Sequence, residues 1–369
     1  MASEVYFWNL RTSFKKSYEV KLKNLINATG FLDKIEKKDI VGIKMHFGEK
    51  GTTSFISPIW LHPIISLLKQ KEAKVFLADT NTLYVGERVD AVSHILNATR
   101  HGFDPAILGA PVIIADGLKS TNEITINFNG NHFKEFYFAR DLFEVDALIN
   151  LSHFKGHELA GFGGAIKNIG MGCATRRGKM QEHCGLGPKP IRKKCVGCGR
   201  CIEACEAGAL YLDEENKICV DDDKCVGCAN CLVACKNGAL EVNWKIDVKL
   251  FLERLAEYCT AFISSLKKPI LHINFVIDVS PVCDCVGFSD ASICPDIGVL
   301  ASYDPVALDQ ACLDLVNQAI AINVGQYKNE PKPGEDKFKA IHPKTQGEYC
   351  LEYAEKLGLG SRKYELKKI

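Results

Sequence analysis

The sequence lacks several features that would point to common classes of protein. Neither charge sign is in excess, since 46 Lys and Arg face 45 Asp and Glu, so nothing favours non-specific binding to nucleic acid or to a membrane. No apolar run reaches 18 residues, and the N-terminal segment has no basic region followed by a long apolar core. We therefore expect neither a transmembrane helix nor a signal peptide. The apolar share of 47% and the charged share of 25% argue against disorder, collagen and coiled coil.

Cysteine, by contrast, is abundant, with 17 residues. An odd number of cysteines without a signal peptide argues against a disulfide framework and predicts a reducing, cytoplasmic setting. Clustered cysteines are more often metal ligands in that setting. Nine of the 17 lie between residues 195 and 235.

These nine belong to residues 190–242, called here the cysteine-rich segment, which contain an internal repeat. Residues 194–210 and 224–240 are identical at 11 of 17 aligned positions, and each copy has the spacing C-x2-C-x2-C-x3-C. Three thiolates of one copy can ligate three irons of a cubane, while its fourth cysteine ligates the other cluster. The prediction is a first set of Cys195, Cys198, Cys201 and Cys235, and a second set of Cys225, Cys228, Cys231 and Cys205.

Zinc is the main alternative metal that these cysteines could bind. It usually takes paired C-x2-C units, with four ligands in all, instead of two runs of four. The cysteine-rich segment resembles bacterial two-cluster ferredoxins, although Glu206 and Lys236 stand where that family usually has Pro. The resemblance implies two [4Fe–4S] clusters and one-electron transfer. Cys219 fits neither set and is expected to be an ordinary small side chain.

The rest of the chain alternates predicted strands and helices, which is typical of an α/β fold with a mixed, mostly parallel sheet. We expect residues 1–189 and 243–369 to form one discontinuous α/β domain. Residues 190–242 would then be an inserted small α+β ferredoxin-like domain, because insertions fall at surface loops. A separate domain after the insert is the alternative. Predicted strands of the larger domain span Val5–Trp8, Ile40–His46, Lys74–Asp79, Val112–Ala115, Ala147–Leu151, Ile270–Asp278 and Gly298–Ser302.

Polar residues and glycines cluster after the predicted strand that ends at Leu151. Ligands of α/β folds bind at the carboxyl ends of strands, and a glycine-rich turn into a helix N-terminus suits an anion. The residues of this cluster are His153, Lys155, His157, Gly161, Gly163, Gly164, Lys167 and Asn168. We expect the glycines to open a short helix. The alternative is that the glycines only allow close packing and that the histidines are buried hydrogen-bonding groups.

The predicted roles in this cluster follow from charge and from titration near neutral pH. Lys155, Lys167 and the amides of Gly163 and Gly164 would hold an anionic group. His153, His157 or His46 would move protons, since imidazole titrates near pH 7.

Two further segments are expected at the same edge of the sheet. His46 follows the second predicted strand and Asp79 ends the third. Taken alone, either residue could be an ordinary turn residue. Together with His153, they are better candidates for residues that line a pocket.

The cysteines near residue 290 form a third group. Cys283, Cys285 and Cys294 are open to three interpretations: a further metal site, redox-active thiols, or structural residues. Cys173 and Cys184 flank a basic turn, and the sequence assigns them no role.

The motifs outside the cysteine-rich segment are Lys44–Gly48, Ser152–His157, Gly161–Asn168, Asp278–Pro281, Pro295–Gly298 and Asp304–Ala307. In them the chain resembles the family called domain of unknown function 362, in a version that carries a two-cluster ferredoxin insert. The resemblance implies one discontinuous domain and no particular reaction. The stretch Gly161–Lys167 is also faintly similar to lactate-racemase-like nickel-pincer proteins, in which case Lys167 would tether a cofactor.

The function expected from these observations is electron transfer through two [4Fe–4S] clusters to a substrate or cofactor in the α/β domain, with a redox partner protein as donor. The alternative is a non-catalytic electron carrier or a maturation scaffold that docks on a partner enzyme. A bound flavin, or another anionic cofactor, next to the clusters is a further alternative, although the sequence shows no flavin fingerprint.

Overall fold

The computed structural model describes residues 2–184, 187–244 and 246–369. Its strands are β1 (Ser3–Trp8), β2 (Ile40–Lys44), β3 (Lys74–Asp79), β4 (Val112–Ile114), β5 (Glu123–Asn127), β6 (Glu135–Ala139), β7 (Ala147–His153), β8 (Lys155–His157), β9 (Gly161–Gly163), β10 (Lys189–Pro190), β11 (Leu210–Leu212), β12 (Ile218–Val220), β13 (Leu240–Glu241), β14 (Ile270–Val276), β15 (Gly298–Ser302) and β16 (Tyr364–Lys368). Its α-helices are α1 (Tyr18–Ala28), α2 (Leu61–Gln70), α3 (Ala91–Arg100), α4 (Pro105–Leu108), α5 (Ala165–Gly170), α6 (Arg176–His183), α7 (Arg200–Glu203), α8 (Asn230–Ala234), α9 (Val248–Leu266), α10 (Pro305–Gln318), α11 (Lys337–Ile341) and α12 (Gly347–Lys356). Short 3-10 helices lie at Phe31–Lys34, Pro58–Trp60, Arg140–Phe143 and Arg192–Lys194.

Eight strands form one sheet in the order β16-β1-β15-β14-β7-β2-β3-β4. Strand β15 runs antiparallel to both of its neighbours, and every other adjacent pair is parallel. This is the mixed, mostly parallel α/β sheet that the sequence predicts. Strands from both sides of the cysteine-rich segment lie in it, since β14, β15 and β16 follow that segment in the chain.

Helices cover both faces of the sheet, so its central strands are buried on both sides. All seven residues of β7 are buried, as expected of a central parallel strand that is covered on both faces. One core contains side chains of α1 to α4, and the other contains side chains of α5, α9, α10 and α12. No helix among the described residues combines the length and the apolar composition needed to cross a bilayer.

The helix boundaries follow local sequence signals. Asp304 caps α10 by accepting the amides of Val306 and Ala307, and Pro305 occupies the first turn, where no amide donor is needed. Asp247 caps α9 through the amide of Leu250 in the same way.

The cysteine-rich segment has its own small elements. The hairpin of β11 and β12 and the pair of β10 and β13 lie beside α7 and α8, and each of these short helices contains the third cysteine of one repeat, Cys201 or Cys231. A separate hydrophobic cluster joins these two cysteines to apolar side chains such as Leu210 and Leu240.

Candidate functional site

A cavity of about 910 Å³ lies at the carboxyl ends of β2, β3 and β7. Its size is typical of ligand sites, and its place is where α/β folds bind ligands. Further walls come from α6 and from the loop after β14. Eight of the ten non-cysteine residues predicted for the site line this cavity: His46, Asp79, His153, Lys155, His157, Gly164, Lys167 and Asn168. Gly161 and Gly163 are not among the lining residues.

Asp79, at the end of β3, is the centre of a buried ion-pair network. One carboxylate oxygen lies 3.0 Å from Lys44 Nζ, and the other lies 3.5 Å from both Arg88 and His94. Burial acts to raise the pKa of Asp79, but the neighbouring Lys44 and His94 hold it well below its usual range. Asp79 therefore holds cations at the cavity wall, and its charge is compensated by the chain itself.

Arg88 belongs to a second network that the sequence did not indicate. Its Nε lies 3.2 Å from Glu49 Oε2, and the Tyr84 hydroxyl donates to the carbonyl of Cys285 at 2.6 Å. The guanidinium also donates to the hydroxyl oxygen of Tyr84. No short motif connects these residues, because three separate chain segments supply them.

His153, predicted to move protons, is instead buried with both ring nitrogens engaged. Nδ1 lies 2.9 Å from the Asp284 carboxylate, and Nε2 lies 2.9 Å from the carbonyl of Ile277. Asp284 is fully buried and also lies 3.5 Å from Lys155. His153 therefore anchors the loop after β14 to the end of β7, and neither of its nitrogens is free for proton transfer.

Gly156 lets that loop approach closely. Its amide donates to the carbonyl of Ser280 at 2.8 Å, and a Cβ at this position would lie 2.1 Å from the carbonyl oxygen of Pro281. Only glycine fits there without displacing backbone. The contact brings residues 283–285 against β8.

Cys283, Cys285 and His157 meet at this point. The two cysteine sulfurs and one ring nitrogen of His157 lie within 4.8 Å of one another. Among the described residues, this is the group of at least three His, Cys, Asp or Glu side chains that lie so close together. Lys167 Nζ lies 3.7 Å from Cys283 Sγ. The hydrogen bond from Cys285 holds the pKa of Cys283 well below its usual range despite burial, and Lys167 and Lys155 lower it further. The same hydrogen bond raises the pKa of Cys285.

His157 and His46 are neutral donors at neutral pH. His157 Nδ1 accepts the amides of Leu159 and Ala160 at 3.1 and 3.0 Å, and His46 Nδ1 accepts the amide of Gly48 at 2.9 Å. A nitrogen that accepts carries no proton, so each ring proton lies on Nε2. Burial is the main cause that lowers both pKa values well below the usual range. The positive charge of Lys167 lowers the pKa of His157 further, and that of Arg88 lowers the pKa of His46 further.

The glycine-rich turn differs from the prediction. Gly161 and Gly163 bound strand β9, which pairs with β8, and helix α5 begins only after Gly164. The first amides of α5, from Ala165 and Ile166, donate to the buried Asp309 carboxylate at 2.7 and 3.0 Å.

The anion at the N-terminus of α5 is therefore a side chain of this chain. A Cβ on Gly164 would lie 2.4 Å from Asp309 Oδ1, so the glycine makes room for that carboxylate. The role predicted for the amides of Gly163 and Gly164 stays a prediction, since Asp309 accepts from the two amides that follow them.

The side chain of Asn168 is held by hydrogen bonds to neighbouring residues of the chain. Its oxygen accepts from Lys44 Nζ at 2.9 Å, and its amide donates to Asn150 Oδ1 at 2.7 Å and to the carbonyl of Leu151 at 3.1 Å. These bonds fix α5 to the ends of β2 and β7.

Two cations of the cavity have no carboxylate partner among the described residues. Lys167 contacts Cys283, and Lys179 donates to Thr80 Oγ1 and to the carbonyls of Asn81 and Ala174 at 2.6 to 2.8 Å. Burial lowers the pKa of Lys179 to about 8, which leaves it mostly charged at neutral pH. Six Lys and Arg against four Asp and Glu line the cavity, so it suits an anionic ligand.

The predicted cysteine sets are grouped in space. Burial raises the pKa of Cys201, and nearby Cys235, Cys195 and Cys198 raise it further. Burial is the main cause that raises the pKa of Cys231 to about 12. The nearby Cys228, Cys225 and Cys205 also raise it. A small cavity is lined by all four cysteines of the second set. Backbone amides of Ile218, Ala209 and Ala239 donate to the sulfurs of Cys195, Cys205 and Cys235 at 3.2 to 3.3 Å.

The cysteine-rich segment packs directly against the cavity wall. Leu83 lines the cavity and belongs, with Met180 of α6, to the hydrophobic cluster that contains Cys201 and Cys231. On the same helix, Glu182 is fully buried, and neither carboxylate oxygen has a hydrogen-bond partner among the described residues. Burial raises the pKa of Glu182 well above its usual range.

Three of the remaining cysteines were singled out in the sequence and lie elsewhere. Cys294 and Cys173 are buried in the apolar core that contains α9 and α10, so Cys294 does not join Cys283 and Cys285. Cys184, at the end of α6, packs against the cluster of the cysteine-rich segment.

Comparison with known proteins extends these observations. No curated protein matches the chain. Among solved structures, the lactate racemase apoprotein from Thermoanaerobacterium thermosaccharolyticum shares 14% identity over 75% of this chain and 51% of its own, with a TM-score of 0.34. A protein from Thermotoga maritima shares 11% identity over 78% and 56%, with a TM-score of 0.39. The chain thus spans about half the length of either protein.

The family model covers much more of the sequence. The model described as "Domain of unknown function (DUF362)" matches residues 41–314, which contain the cavity-lining residues and the cysteine-rich segment. The chain belongs to this DUF362 family.

Proposed function

We propose that this chain is an iron–sulfur protein that passes electrons from the cysteine-rich segment to an anionic substrate or cofactor in the cavity. The observation that carries the proposal is the shared contact at Leu83, which both lines the cavity and packs against the cluster containing Cys201 and Cys231. An electron-transfer unit and a ligand site would thus share one wall.

The cysteine-rich segment fits two [4Fe–4S] clusters in its donor set and local backbone. Each predicted set of four thiols lies together, and amide-to-sulfur hydrogen bonds surround both sets. Gly197 and Gly227 adopt positive φ values of 70° and 68° at equivalent places in the two repeats, which turns the loop tightly around the sulfurs. When bound, such clusters supply one-electron transfer, with potentials tuned by these hydrogen bonds.

The spacing of the sulfurs favours a cluster over a single zinc ion. Zinc holds each sulfur at about 2.3 Å, which brings four sulfurs within about 4 Å of one another. Neither cysteine set forms a group within 4.8 Å among the described residues. A polynuclear cluster bridges wider gaps between its ligands.

The chain's own residues would bind the ligand. Lys167 would hold an anionic group, whereas Lys179, whose three N–H donors are taken by Thr80, Asn81 and Ala174, would add only its positive charge. His46 and His157 carry their protons on Nε2 and lie at the cavity wall, so they would donate hydrogen bonds to the ligand. A cavity of this size and charge favours a ligand-binding protein over a carrier or scaffold that only docks on a partner.

Anaerobic purification followed by iron and sulfide assays tests the electron-transfer half. We expect about eight irons per chain, four for each cluster. Cys198→Ala and Cys228→Ala should each remove about four, while Cys219→Ala, in the same segment but outside both sets, should remove none. Near-zero iron with stoichiometric zinc would overturn this half.

Native mass spectrometry of the same preparation tests the cavity half. An anionic molecule bound to the wild-type chain should be lost from Lys167→Met and retained in Lys37→Met, a change at an exposed surface pair. Equal retention in both variants would show that the cavity cation does not bind the ligand.

A further inference from the structure

We propose that Cys283 and Cys285 form a redox-active dithiol in the cavity wall, which cycles between two thiols and an intramolecular disulfide. One residue separates them in the chain, and both sulfurs lie with a His157 nitrogen in a group spanning at most 4.8 Å. Both cysteines are free thiols, and the two side chains are hydrogen-bonded to each other.

The surroundings favour a thiolate at Cys283. Lys167 Nζ lies 3.7 Å from its sulfur, and positive surroundings are typical of reactive cysteines. Asp284 stands between the two cysteines, yet its carboxylate is bound to His153 at 2.9 Å and lies 3.5 Å from Lys155. Asp284 still acts to raise the pKa of Cys283, but the hydrogen bond from Cys285 and the positive charges of Lys167 and Lys155 outweigh it.

Access to the pair comes from the cavity. Cys285 lines the cavity and is half-buried, whereas Cys283 lies behind it, fully buried. A disulfide-containing ligand in the cavity therefore reaches Cys285 first. Cys285 becomes a thiolate by passing its proton to Cys283 along the hydrogen bond that joins them, and Cys283 is then placed to displace the ligand from the mixed disulfide.

The same three side chains are a less suitable metal site. His157 Nδ1 accepts two backbone amides, so its proton lies on Nε2. A protonated nitrogen can donate to a thiolate but cannot ligate a metal. The ammonium of Lys167 would also repel a cation at Cys283.

The redox step balances as a two-electron couple. Oxidation joins the two sulfurs and passes their two electrons to a disulfide-containing ligand in the cavity. One half of that ligand leaves when Cys285 forms the mixed disulfide and the other half leaves when Cys283 closes the bond to Cys285, so that one half departs as a thiolate and the other as a thiol with the proton that began on Cys285. Reduction needs two electrons in succession from a one-electron donor protein that acts through the cysteine-rich segment. This electron route rests on the proposed function, whereas the dithiol itself does not.

The test uses the full-length, iron-containing protein equilibrated anaerobically in mixtures of reduced and oxidised dithiothreitol. Free thiols are trapped with iodoacetamide, and the peptide containing residues 283–285 is analysed by mass spectrometry. We expect one two-electron transition from the doubly alkylated to the unalkylated peptide. Cys294→Ser should keep the transition, and Cys283→Ser should abolish it and leave Cys285 alkylated in every mixture.

A rate measurement adds a readout of the charge environment. At a pH below the pKa of Cys283, where the alkylation rate follows the thiolate fraction, loss of the ammonium in Lys167→Met should slow alkylation of Cys283 about tenfold, which corresponds to one pKa unit. Lys37→Met, at an exposed surface pair, should leave that rate unchanged.

Each remaining outcome has one meaning. Full alkylation of the pair in every mixture would overturn the dithiol, and so would one equivalent of zinc that protects both cysteines. If the protein purifies without iron but shows the normal thiol-to-disulfide transition, the dithiol is kept and the proposed function is rejected. If the protein has its full iron content but shows no such transition, the dithiol is rejected and the proposed function is kept.

Discussion

The cysteine-rich segment and the cavity are built in opposite ways. The segment takes its eight proposed ligands from 41 consecutive residues, 195–235, at regular spacing. The cavity takes its charged residues from segments that range from Lys44 to Lys179 and meet only where parallel strands end. Local spacing therefore defines the first region, and sheet topology defines the second.

This difference teaches where each region is vulnerable. A change in the segment should alter what it binds and leave the sheet intact. A change in the buried networks of the cavity should alter folding stability and leave the cysteines intact. The following predictions separate the two.

The largest effect is expected from Asp79→Asn. The substitution leaves the buried cations Lys44 and Arg88 without their shared carboxylate, which typically destabilises a protein by about 3–5 kcal/mol. Urea denaturation should show this loss, with iron content unchanged. Asp33→Asn, at an exposed carboxylate, is the control, and an equal loss there would show that the Asp79 network contributes nothing special.

An intermediate effect is expected from the titration of Asp309. Burial raises the pKa of its carboxyl to about 6, against 3.8 for an ordinary Asp. The folded protein binds this proton more tightly than the unfolded chain does. Its contribution is therefore full below about pH 4, is lost as the pH rises to about 6, and amounts to about 3 kcal/mol.

Denaturation midpoints measured from pH 4 to pH 7 check this slope. Asp309→Asn has no titrating carboxyl, so the part of the slope due to Asp309 should disappear in it. The same slope in the variant would place the titration elsewhere. The iron content of the cysteine-rich segment should not change with pH in the way that the denaturation midpoint does.

The smallest effect is expected from Leu83→Ala, at the contact between the two regions. Removing the buried side chain should cost about 2 kcal/mol and increase amide hydrogen exchange in residues 190–242. Leu118→Ala, at a side chain that is 67% exposed, is the matched control. Unchanged exchange in Leu83→Ala would mean that the segment does not depend on this contact.

Much of the fold was predictable from local patterns. The predicted bounds of Lys74–Asp79 and Gly298–Ser302 match β3 and β15, because short apolar runs flanked by polar residues mark buried strands. The hairpin of β8 and β9 was not predicted, since Lys155–Gly163 has neither a helical nor an alternating apolar pattern.

The candidate site was predictable only in part, for the same reason. Residues that directly follow strands, such as His46 and Asp79, could be placed at one edge of the sheet. Arg88 and Asp309 could not, because each acts on a partner at least 39 residues away in sequence. Their roles depend on tertiary contacts that no local spacing records.

The Asp309 carboxylate at the start of α5 has a consequence for ligand selectivity. Because it takes the first backbone amides of that helix, an anion in the cavity meets lysine ammonium groups, on two different helices, in place of a row of amide donors. Ammonium groups act as point charges and impose little direction on their ligand. The cavity would therefore discriminate among ligands by total negative charge more than by the shape of the anionic group, and its affinity would fall as ionic strength rises.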